Sequence, residues 1–395
     1  MVMFKRRYES GAVSLFLVVF AMLLITVVTL SFIRIMITDQ QQASVSDLSK
    51  SAYDSSLAGV EDAKRALIYY RTVCATGDVG GCATAKATID SNACNQGLTT
   101  VFSDITPSKE VLVQKTQSSA DANGYNQAYT CVKMKLETPD YLGTVQANTS
   151  KIIPLKSTAL FNTVTVEWYM SADLGSTGTT VSLIPTSTVI KPLYQQINWP
   201  SNRPSLLRVQ LMQIGSNFTV GSFDAASSSA TNSNAKTLFL YPTISAGQST
   251  APVIDAANFN SDNRQVKTGA TQPVKCVSNL NAGGYACTVT ITLPQAVGQT
   301  DDSRNAYLRL TPMYNATHFR VTLGALGSGI LFDGVQPSID STGRANQQYR
   351  RVQSRVDFVN TSFPFPEAAI DVTGNLCKDF IVTNATTDFS GICRP

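Results

Sequence analysis

The sequence predicts an α+β protein: a long N-terminal transmembrane and amphipathic helix, then a mainly antiparallel β-rich exported region stapled by disulfides. Three observations carry this. Residues 12–33 run without a charge, glycine or proline; neither Gly nor Pro interrupts the chain between Gly11 and Gly59; and beyond residue 71 short alternating apolar and polar runs are interspersed with eight cysteines.

The apolar run comes first. Twenty-two residues rising ~1.5 Å each span ~33 Å, the thickness of a bilayer's hydrocarbon core. Lys5, Arg6 and Arg7 precede it, whereas only Arg34 follows before Lys50. That bias keeps the N-terminus in the cytoplasm and places everything beyond about residue 38 outside. A secretory signal peptide would have a shorter core and a small-x-small cleavage site. Arg34-Ile35-Met36-Ile37-Thr38-Asp39 offers none.

The helix is expected to continue. Val45, Leu48, Ala52, Val60, Ala63 and Leu67 fall within about 120° at ~100° per residue, a stripe able to pack on a globular partner. Asp47, Lys50, Glu61, Lys64 and Arg65 supply the polar surroundings. From residue 12 to about 70 such a rod measures close to 90 Å at ~1.5 Å per residue.

Ser10-Gly11-Ala12-Val13-Ser14-Leu15-Phe16-Leu17-Val18, Leu23-Leu24-Ile25-Thr26-Val27 and Ala52-Tyr53-Asp54-Ser55-Ser56-Leu57-Ala58-Gly59-Val60-Glu61-Asp62-Ala63 resemble the N-terminal region of PilX-type minor pilins of type IV pili, over about residues 5–70. The resemblance implies cleavage by a prepilin peptidase after Gly11 and N-methylation of Ala12. It implies a filament-core helix that includes Phe16, Leu17, Phe20, Leu24 and Val28. The partners it implies are other pilin subunits, the membrane, the pilus assembly machinery and a ligand on a host or neighbouring cell surface. Most pilins carry Glu at the fifth mature position, where this chain has Phe16. A buried carboxylate without a partner amine is costly, so the departure suits a minor or tip subunit.

The exported part is long enough for two domains with real cores. The expected divisions are a leader (1–11), the transmembrane part of the helix (12–37), its amphipathic continuation (38–72), a Cys-containing irregular or mixed region (73–155), a β-rich domain (156–270) and a β-rich C-terminal domain (271–395). Net charge is only +4, and no basic face calls for nucleic acid.

The cysteines are Cys74, Cys82, Cys94, Cys131, Cys276, Cys287, Cys377 and Cys393, all beyond the membrane run. Their spacing is not that of zinc knuckles, so disulfides are expected. Eight cysteines allow 105 pairings, and only proximity guides a choice. Cys276 and Cys287 flank the turn signal Asn281-Ala282-Gly283-Gly284. Cys377 with Cys393 would close the C-terminal end as disulfide loops do in many pilins. Cys74–Cys82 and Cys94–Cys131 are then preferred for the other four.

Strands are expected at residues 159–169, 206–214, 237–241, 285–293, 307–311, 318–323 and 349–359, with a short helix near 116–122. Residues 221–234 and 243–271 read as Ser/Thr/Asn/Gly-rich loops. The stretch from Gly334 to Val356 resembles the Ser-Thr-Gly-Arg hairpin of pilin-like proteins, with Asp340 and Gly343 suited to a tight turn.

Catalytic signals are thin. His318 is the sole histidine, and no G-x-S-x-G, H-E-x-x-H or G-x-x-x-x-G-K-[ST] occurs. No catalytic residue, metal or cofactor is expected. Asp47-Leu48-Ser49-Lys50-Ser51 matches an ion-dependent adhesion motif but lies inside the predicted helix, and Gly324–Gly329 reads as a turn. Loop contacts to an ion remain open at Asp262-Asn263 and Asp301-Asp302. Sequons stand at Asn148, Asn217, Asn315, Asn360 and Asn384. Two functions follow: a minor pilin-like filament subunit whose β-rich head serves assembly, adhesion or aggregation, or a single-pass membrane-anchored extracellular binding protein that stays out of filaments.

Overall fold

The computed structural model describes residues 11–113, 126–175, 178–185, 199–214, 234–244, 253–254, 271–281, 283–298, 305–324 and 328–357. Its elements are α1 (Gly11–Ala75), α2 (Val79–Ile89), β1 (Val111–Leu112), β2 (Gln127–Thr138), β3 (Tyr141–Val145), β4 (Lys151–Pro154), β5 (Phe161–Met170), β6 (Ile184–Pro185), β7 (Leu206–Ile214), β8 (Asn234–Ile244), β9 (Val253–Ile254), β10 (Thr271–Lys275), β11 (Tyr285–Val297), β12 (Asn305–Met313), β13 (Thr317–Leu323), β14 (Phe332–Ala345) and β15 (Gln348–Arg355). They group into two units: Met1–Lys133 with Ile339–Gln353, and Met134–Ser338 with Ser354–Pro395. The boundary expected near residue 270 lies outside the described residues.

In the first unit α1 is one unbroken helix of 65 residues, as the absence of Pro and of early Gly dictates. α2 follows after Gly77, which takes the positive φ of 81° that a sharp reversal requires. Asp78 caps α2 by accepting the Gly81 N–H at 3.0 Å. The Cys74–Cys82 disulfide, with Cα atoms 4.6 Å apart, ties the two helices together. A second disulfide, Cys94–Cys131 (Cα–Cα 4.7 Å), holds the 3-10 segment Gln96–Thr100 near β2. Beside it, buried Asn95 donates to the Lys109 carbonyl and accepts the Val132 N–H at 2.8 Å. The unit's sheet runs β1-β2-β14-β15.

The second unit holds two sheets: β10-β8-β7-β12-β4, with β6 beside β8, and β3-β13-β5-β11-β9. Most ladders are antiparallel, but β6–β8, β10–β8 and β9–β11 are parallel. Val166 and Trp168 of β5 and Phe319 of β13 share one core with Leu207, Val209 and Leu211 of β7 and with Leu308 and Leu310 of β12. Each large side chain buried there contributes about 1.5–3 kcal/mol. Trp168 is fully buried and satisfies its indole N–H on the Ser205 carbonyl at 3.1 Å. Cys276–Cys287 (Cα–Cα 4.3 Å) closes the loop leading into β11, both residues buried.

All seven expected strands correspond to observed ones, with ends shifted by up to a few residues. α2 and eight strands, β1 to β4, β6, β9, β10 and β14, are additions, and β9 falls within the stretch 243–271 read as a loop. The tight turn expected at Asp340 and Gly343 is instead the interior of β14, and the reversal falls at Asn346-Gln347, where Asn346 adopts a φ of 50°. Asn tolerates that left-handed geometry better than most residues. The helix expected near 116–122, Asp262-Asn263, Asp301-Asp302, Asn217, Asn360, Asn384 and the Cys377–Cys393 pair lie outside the described residues.

Candidate functional site

The residues of greatest functional interest lie along α1, which changes character along its length. From Leu15 to Ile37 its large apolar side chains face outward, from 44% exposed at Val28 to 74% at Phe16. Leu17, Phe20 and Leu24 are equally open, and none of the span's most apolar window is buried, with a mean hydropathy of 2.8. Gly11 opens the helix and Ala12 lies within its first turn. Among the described residues there is therefore one helix long and apolar enough to cross a membrane.

The hydroxyls inside this span are internally satisfied. Thr26 donates to the Leu23 carbonyl at 2.8 Å, Thr29 to Ile25 at 2.9 Å, Ser31 to Val27 at 2.8 Å and Thr38 to Arg34 at 2.9 Å. Such back-bonding removes the cost of carrying a hydroxyl into an apolar medium.

Beyond the span the same helix is clasped to the first unit's sheet. Ala52, Ser55, Ser56, Gly59, Val60, Ala63, Ala66 and Leu67 are buried. Most are small, which brings helix and sheet backbones close. A Cβ on Gly343 of β14 would overlap the Ala52 carbonyl oxygen and the Ser56 nitrogen. A Cβ on Gly59 would stand 2.5 Å from Ser341 Oγ and 2.8 Å from Val132 Cγ2. Gly is thus required at position 343 by contact with backbone, and at position 59 an added Cβ would displace neighbouring side chains.

Polar groups frame this clasp. Tyr129 of β2 donates to Asp62 Oδ2 at 2.9 Å, and burial, reinforced by the Asp62 charge, pushes its phenol well above the ordinary value. Arg344 is nearly buried and grips both Glu110 carboxylate oxygens at 2.9 Å, the bidentate geometry that favours Arg over Lys. Arg350 of β15 donates to Ser49 Oγ at 2.7 Å.

Of the expected amphipathic stripe, Ala52, Val60, Ala63 and Leu67 are buried and Leu48 is half-buried, but Val45 is 50% exposed. The helix has already left the sheet at that point. Ser55, Ser56 and Gly59 were invisible to hydrophobic periodicity because close approach selects for size rather than apolarity. The ion-site coincidence at Asp47–Ser51 sits within α1, as expected.

In the second unit His318 Nδ1 lies 2.6 Å from Asp173 Oδ1, and the same carboxylate accepts the His318 and Met170 backbone N–H groups. The imidazole thereby secures the start of β13 to the turn after β5. Arg320 pairs with Glu167 beneath the Tyr285 ring, 5.4 Å from its centroid. Asn315 holds the Pro200 and Arg203 carbonyls at 3.0 and 2.9 Å, whereas Asn148 lies exposed in a left-handed turn. Among the described residues no three His, Cys, Asp or Glu side chains converge on one point. No protein-family model, curated protein or solved structure matches the chain.

Proposed function

We propose that the chain is a minor pilin-like subunit of a type IV pilus or related filament. Its apolar half-helix first rests in a membrane and then packs among sister helices, while the β-rich head faces outward for assembly, adhesion or aggregation. One observation carries this reading. A single 65-residue helix is exposed and apolar in its first part and tightly clasped to a sheet in its second. A plain anchor needs only ~20 apolar residues, and a stiff continuation fused to the head suits a subunit whose helix must be passed from lipid to a bundle. Disulfides in both units fit an exported location.

The competing reading is a single-pass anchored binding protein, for which the same apolar span would serve. N-terminal sequencing of protein recovered from sheared surface material separates the two. The filament reading expects a mature start at Ala12 in the sheared fraction. Intact Met1–Gly11 on protein confined to the membrane fraction would overturn it.

A further inference from the structure

Resting on the filament reading, the charges along α1 point to how copies meet. At about 100° per residue, Asp39, Asp47 and Asp54 fall within about 80° of one another on the exposed side of the helix. Lys50 lies among them, so three carboxylates against one ammonium leave a net −2 on this stripe. Among the described residues Arg34, Asp39, Asp47 and Asp54 take part in no salt bridge.

The adjoining side carries positive charge and a recess. Just below the clasp is a groove of about 400 Å³ lined by Gln41, Gln42, Ser46, Ser49 and Arg350. Arg350 is exposed, and its guanidinium is steadied by the Ser49 hydroxyl rather than by a carboxylate. Arg34 lies on the same side, also exposed.

The spacing is what joins the two sides. Arg34 precedes Asp39 by five residues, and Ser49, which marks the level of Arg350, precedes Asp54 by five. Five residues are about 7.5 Å along the axis and about 140° around it. One parallel stagger therefore aligns both cations of one copy with both carboxylates of the next. Within a single helix the faces are too far apart to satisfy each other.

We infer that the groove is a docking surface for the acidic stripe of a second copy of this chain, in parallel and shifted by about 7.5 Å, with Arg350 meeting Asp54 and Arg34 meeting Asp39. Such a contact uses different patches on its two partners and is therefore heterologous.

The test uses the full-length chain in cells that export it. Arg350→Glu and Asp54→Arg should each cut the amount in the sheared fraction about tenfold through like-charge juxtaposition, and the two combined should restore it to within about twofold. Cysteines placed by Arg350→Cys and Asp54→Cys should cross-link copies on mild oxidation, whereas Arg350→Cys with Asp39→Cys should not. Unchanged thermal melting of the swapped chains separates lost docking from misfolding. Wild-type protein in the sheared fraction with indifferent swaps, no rescue or no 350–54 cross-link would overturn the stagger alone. Wild-type protein that never leaves the membrane fraction would overturn the filament reading, and this contact with it.

Discussion

Replacing Gly343 by Ala tests the clasp between α1 and its sheet directly. The added methyl overlaps the Ala52 carbonyl oxygen and the Ser56 nitrogen and stands 2.9 Å from the Ser55 carbonyl carbon. All three are backbone atoms, so no rotamer relieves the clash and the helix must retreat by about 1 Å, forfeiting roughly a quarter to a half of the dispersion across the gap. The buried face comprises Val60, Leu67 and the alanines at 52, 63 and 66, together about 7 kcal/mol of burial. The expected loss is about 3 kcal/mol, equivalent to about 10 °C in melting temperature. Both tryptophans, Trp168 and Trp199, belong to the second unit. In detergent, the helical signal near 222 nm should therefore melt earlier while tryptophan fluorescence keeps its wild-type transition. A Gly343→Ala chain whose helical signal melts within about 2 °C of wild type would refute the close approach.

Gly143→Ala is the mirror experiment. Its Cβ would come within 2.8 Å of the buried Phe319 ring, so the fluorescence transition should fall by about 1–3 kcal/mol and the helical signal should not. Tyr129→Phe removes the bond to Asp62 and should cost about 1 kcal/mol at neutral pH. Its pH signature is distinct: the unfolded phenol ionises near its ordinary value of 10 while the folded one resists, so the unfolded state binds fewer protons above pH 10 and stability falls as pH rises. Denaturant titrations between about pH 9 and 11.5 should show Tyr129→Phe losing less per unit than wild type, by about 1.4 kcal/mol. Cys276→Ser with Cys287→Ser opens the buried hairpin loop and should lower the second unit's stability by about 3 kcal/mol in denaturant melts.

Legibility in the sequence followed physical type. α1 was readable because nothing between Gly11 and Gly59 can break a helix, and β13 because Thr317–Leu323 alternates strictly between buried and half-buried positions. β14 was not, since Asp340 and Gly343 read as turn residues although Gly343 serves the helix contact and not a turn. α2 hid behind Gly80 and Gly81, without an apolar stripe to announce it. β2 alternates plainly, as Val132, Met134 and Leu136 are buried, and was missed although its signal was present. Of the candidate site, the apolar span was evident, but the small-residue clasp and the Arg350–Ser49 contact depend on β15 meeting the helix from 301 residues away.

The sheet that receives α1 is completed late. Thr130 of β2 bonds to the Thr342 carbonyl of β14 across 212 residues of chain, and residues 134–338 of the second unit are synthesised between them. During synthesis the helix emerges first and waits with its narrow face bare until the closing strands arrive. High contact order of this kind slows folding and leaves a vulnerable interval. A membrane or a chaperone that shelters the rod during that wait would thus decide how much chain matures and how much is degraded.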